Sequence, residues 1–80
     1  MSDKIKQDIS IGKNLRALRK SAKLSQEEAA AKLELMGISI SREIISQMEL
    51  GRYSVRVSVL LALKQIYKVD TFDEFFKGLN

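Results

Sequence analysis

Arg42, Glu43, Ser46 and Gln47 lie in the stretch "ISREIISQMELGR", residues 40–52. If that stretch is helical, they share one stripe, because residues three and four apart lie on the same helix face. Ile44, Ile45 and Met48 then form a second, apolar stripe. The polar stripe is not an arbitrary solvated mixture. Arg and Gln each carry planar groups that hydrogen-bond in pairs, so they suit recognition of a flat polar partner.

Catalytic chemistry has little to work with elsewhere. The chain has no His and no Cys. The usual general base, the commonest metal ligand, thiolate sites and disulfides are therefore all missing. No paired carboxylates fall where a pocket is expected. An enzyme is not expected, nor a metal, a cofactor or a small-molecule ligand. With 80 residues, 45% hydrophobic and 30% charged, the composition is that of one small folded domain. The net charge of +4 fits a polyanionic partner, but a basic solvated surface reads the same way. No apolar run approaches the ~18 residues of a transmembrane helix. The start, "MSDKIKQDIS", is too polar for a signal peptide. A cytoplasmic protein without a membrane partner is expected.

Apolar spacing predicts five short helices. The first, residues 10–22, carries Ile11, Leu15, Leu18 and Ala22, with Lys13, Arg16, Lys20 and Lys23 mostly off that stripe as a solvated face. The second, 26–36, opens with a capping box between Ser25 and Glu28 and stops before Gly37. The third, 42–50, is capped by Ser41 and stopped by Gly51. The fourth, 56–67, is nearly apolar. The fifth, 72–79, has a second capping box, Thr71 to Glu74, and a stripe of Phe72, Phe75, Phe76 and Leu79. Alanines in "EEAAAKL" permit close approach of another helix. The pattern fits a helix-turn-helix or another small helical bundle. On the fourth helix, Val57 and Leu61 project opposite Leu60, Leu63, Ile66 and Tyr67, beside Lys64 and Lys68. They read either as an interface with another chain or as scattered exposed hydrophobes.

Together, "LRKSAKLSQEEAAAKL" and "ISREIISQMELGR" resemble the phage repressor/Cro-type (XRE) helix-turn-helix domain, over about residues 9–79. The resemblance implies an all-α, λ-repressor-like DNA-binding domain of five short helices. Helices 2 and 3 form the helix-turn-helix, and helix 3 enters the major groove. It makes residues 9–80 the domain and residues 1–8 an N-terminal tail. It implies base contacts by Arg42, Glu43, Ser46 and Gln47, phosphate contacts by Gln26, Ser41 and Arg52, and a structural ion pair between Arg19 and Glu49.

Three residues or segments depart from the family pattern. The segment from Leu33 to Ser41 is about five residues longer than usual, which reads as a second helix stretched by about one turn and a lengthened helix-turn-helix connection. Ala29 stands where Leu is usual, which thins the core. Leu50 stands where a polar residue is usual. Glu43 either accepts from a cytosine amino group, or neutralises Arg42 or excludes wrong bases. Arg42 reaches either a base or a phosphate.

The implied function is a sequence-specific, double-stranded DNA-binding transcriptional regulator. A repressor is expected, acting as a homodimer on a pseudo-palindromic operator. The alternative is an antitoxin-like module that neutralises a protein partner through the exposed apolar residues and autoregulates through DNA.

Overall fold

The computed structural model describes residues 4–5 and 10–79. Among these residues five helices form: α1 (Gly12–Ser21), α2 (Gln26–Leu35), α3 (Arg42–Glu49), α4 (Val57–Ile66) and α5 (Asp73–Phe76). A two-residue strand, β1 (Lys4–Ile5), pairs antiparallel with β2 (Val55–Arg56) in the register Lys4 with Arg56 and Ile5 with Val55. This small ladder accompanies an otherwise all-α fold. The strand β1 lies within the N-terminal stretch expected as a tail.

Local chemistry sets the helix starts. Ser25 accepts from the Glu28 N–H at 3.0 Å, and the Glu28 carboxylate accepts from the Ser25 N–H at 2.9 Å, closing the capping box of α2. Ser41 caps α3 by accepting from the Ile44 N–H at 3.3 Å. Four helix ends share one device: a residue with positive φ follows the last turn, and two N–H groups fold back onto the final carbonyls. Gly37 and Gly51 supply it after α2 and α3, whereas Lys23 and Lys68 supply it after α1 and α4.

The core gathers one side of every helix. Leu15 of α1, Ala29 and Leu33 of α2, Ile45 and Met48 of α3, Val59, Leu60 and Leu63 of α4, and Phe75 of α5 are buried. Helix α3 packs on both α1 and α2, and α2 also packs on α4. The outward face of α3 is thus carried on a platform of two helices. Ala29 is fully buried, so the small side chain lets the neighbouring elements close in.

Two expectations are corrected. Helix α2 ends at Leu35, within one residue of the expected range 26–36 but less than a full turn beyond Leu33. The remaining extra residues make a turn at Met36–Gly37 and a non-helical run, Ile38 to Ser41, into α3. The lengthening therefore lies mainly in the connection, because Gly37 at φ 82° ends the helix. Helix α5 is a single turn and has no capping box: the Glu74 N–H meets the Thr71 backbone carbonyl, and Phe72 is the cap, with no side-chain hydrogen bond. Its end is set by Asn14, whose amide donates to the carbonyls of both Phe75 and Lys77 at 2.9 Å. Those acceptors are then engaged by α1 rather than by a continuing helix. Phe75 is buried while Phe72 and Phe76 are exposed, so the expected four-residue stripe only partly faces inward.

Candidate nucleic-acid interface

Helix α3 has two sides of different construction. Inward, Ile45 and Met48 are buried and Ile44 is half-buried against them. Outward, Arg42, Glu43 and Gln47 are exposed and Ser46 is half-buried. Gln26, the first residue of α2, joins these four around one shallow surface depression of about 250 Å³. The structure thus collects one residue expected at a phosphate and four expected at base edges.

The underside of this surface is fixed by a buried polar network. Arg19 of α1 donates through Nε to Glu49 Oε2 at 2.7 Å and through Nη2 to Glu49 Oε1 at 3.1 Å. Its Nη1 donates to the Leu24 carbonyl at 2.8 Å. The two side chains are only 9% and 5% exposed. The hydrogen bond to Glu49 raises the Arg19 pKa above its ordinary value, against the opposing effect of burial. Tyr67 lies in the same field: burial pushes its hydroxyl above the usual range, with Glu49 adding to the shift and Arg19 opposing it. Gln26 completes the network, its Nε2 donating to Glu49 Oε1 at 3.1 Å. That bond holds the amide at the edge of the depression and leaves a second N–H on the same nitrogen for an acceptor. Local sequence signals could not reveal it, because Gln26 opens α2 while Glu49 closes α3.

The exposed pair behaves differently. Arg42 Nε donates to Glu43 Oε2 at 2.9 Å, with 61% and 72% of the two side chains exposed. Such a pair is weakly held and easily exchanged for another partner. In the chain without DNA, Glu43 therefore has Arg42 as its partner.

Other expected residues lie apart. Ser41 lines a separate depression beside Glu27, Glu34 and Ile40 and is occupied as the cap of α3. Arg52 is exposed past the end of α3 and lines neither depression. Val57 and Leu61 stand one turn apart on α4, 44% and 52% exposed. Further along, Lys64 sits over the Phe72 ring at 5.5 Å from its centroid. Among the described residues, no cluster of three or more His, Cys, Asp or Glu is placed to hold a metal, and no helix is long and apolar enough to cross a membrane.

Two short helices in contact, the second exposing a polar stripe above a packed underside, define an all-α helix-turn-helix domain. A family model described as a helix-turn-helix domain matches residues 10–74, and the chain belongs to that family. The match agrees with the resemblance to the repressor/Cro-type domain. No curated protein and no solved structure matches the chain. DNA is the partner that this family supports, in the role of a DNA-binding regulator.

Proposed function

We propose that the chain is a sequence-specific transcriptional repressor that binds a pseudo-palindromic duplex operator as a homodimer. One observation carries the reading: Gln26 of α2 and Arg42, Glu43, Ser46 and Gln47 of α3 share a single exposed depression above a buried network. In the proposed complex α3 lies in the major groove and Gln47 reads adenine through paired bonds to N7 and the N6 amino group. Gln26 donates to a flanking phosphate, where the free N–H groups at the start of α2 add their attraction. Val57 and Leu61 meet their symmetry mates. Selection of bound duplexes from random DNA tests this: two inverted half-sites about one helical turn apart are expected. Affinity should fall with salt by about 0.9 log units per log unit for each phosphate engaged, over roughly six or more contacts per dimer. A salt slope near zero contradicts DNA binding. Leu61→Glu should weaken dimerisation and operator affinity with the helical fold retained, and unchanged affinity and stoichiometry would remove the α4 interface.

A second reading has one observation in its favour. Val57, Leu61, Phe72 and Phe76 are all exposed, more apolar surface on α4 and α5 than a helix reading DNA needs. A protein partner seated there, with DNA used for autoregulation, is the antitoxin-like alternative.

A further inference from the structure

Lys and Arg charges supply the salt-dependent part of binding to a phosphate backbone, and α3 exposes only one of them, Arg42, next to Glu43. Arg42 pairs with Glu43 beside it in a solvated, readily exchanged contact. A second, larger groove of about 860 Å³ adjoins the α3 depression and shares Gln26 and Ser46 with it. Its far wall is α1, which contributes Lys13 and Arg16, three residues apart and both exposed. Among the described residues, neither side chain has an ion-pair partner. The carboxylate that lines this groove, Glu49, is already engaged by Arg19 and Gln26. Among the described residues, the groove therefore carries two positive charges without an ion-pair partner, at the end of a surface whose other end reads as the base-contacting stripe.

We propose that Lys13 and Arg16 are phosphate contacts, and that the DNA strand leaving the α3 depression runs through this groove along α1. This rests on the proposal that α3 reads duplex DNA and extends its footprint. It replaces the expectation that the basic residues of helix 1 act only as a solvated face. Leu50, 57% exposed at the end of α3, lines the same groove. On this proposal the apolar side chain lies against a deoxyribose edge and does not compete for the two phosphates.

The test compares Lys13→Gln/Arg16→Gln with a charge-matched control, Lys23→Gln/Lys32→Gln, whose positions line neither surface. The probes are a duplex selected from random DNA and an unselected random duplex, titrated across about 50–300 mM salt. Loss of two phosphate contacts per protomer should reduce the salt slope by about 1.8 per protomer. Affinity should drop by the same factor on both duplexes, with base preference unchanged, while the control keeps the wild-type slope. Ethylation interference gives a second readout: phosphates whose ethylation blocks the wild type should no longer matter to the double variant. An unchanged slope in the double variant, or an equal fall in the control, overturns the assignment. The parent proposal fails separately, if the wild-type protein itself shows no salt-dependent duplex binding.

Discussion

Helix α3 bears two Arg–carboxylate pairs, and their difference divides the helix into a part that is placed and a part that is presented. Glu49 meets Arg19 through two hydrogen bonds, with both side chains shielded from water. Glu43 meets Arg42 through one, with both largely solvated. In the buried pair, each ion has lost its hydration, so removing one partner strands the other. In the exposed pair, water replaces either partner at little cost. The buried pair ties α3 to α1 and, through Gln26, to the start of α2. The exposed pair leaves its groups available to a ligand.

The contrast breaks most visibly in stability. Arg19→Ala or Glu49→Ala should cost about 3–5 kcal/mol, a large share of what a domain of this size has. Glu43→Ala should cost no more than about 1 kcal/mol. Denaturant unfolding of the variants reads both, and a double-mutant cycle between Arg19 and Glu49 with coupling near zero would refute the buried pairing.

A smaller effect is expected where α1 meets the end of α3 without side chains. A Cβ on Gly12 would collide with the backbone carbonyl of Glu49 and press on that of Met48. Backbone cannot rotate away as a side chain can, so Gly12→Ala should cost about 1–3 kcal/mol. It should also weaken DNA binding by shifting the platform under α3. A wild-type unfolding midpoint would show that the two helices are not in close contact in solution.

The smallest effect concerns an exposed carboxylate with fixed partners. The Ser25 backbone N–H, and secondly its hydroxyl, hold the Glu28 pKa below its ordinary 4.5. A folded value below the unfolded one gives stabilisation that is present above pH 4.5 and lost as pH falls through the lowered value. Glu28→Gln should lower the melting temperature slightly near neutrality and lose less of it on acidification. Melting curves that track the wild type at every pH would show that the Glu28 charge adds no stability through its bonds to Ser25.

The parts of the fold set by neighbouring residues were legible in the sequence. Ser25 with Glu28, Ser41, Gly37 and Gly51 mark helix ends through bonds a few residues long, and Ile45 and Met48 mark the buried side of α3 by spacing alone. One part that failed depends on a distant partner. Helix α5 is cut short by Asn14, 61 and 63 residues away from the carbonyls it takes. The left-handed ends at Lys23 and Lys68 carry no compositional mark, because Lys is an ordinary helix residue. At the candidate site, the polar stripe could be read from periodicity. The link from Gln26 to Glu49 and the adjoining cationic wall of α1 exist only once three helices are packed.

The claim that the outward face of α3 reads bases is tested most directly by Gln47→Ala. Affinities would be measured at fixed salt for a selected duplex, a panel of its single-base variants and random DNA. The expected result is a loss of about 1–3 kcal/mol on the selected duplex, relaxed preference at one base pair per half-site and little change on random DNA. An equal loss on every duplex would contradict base reading by Gln47 and leave specificity to Arg42, Glu43, Ser46 or DNA shape.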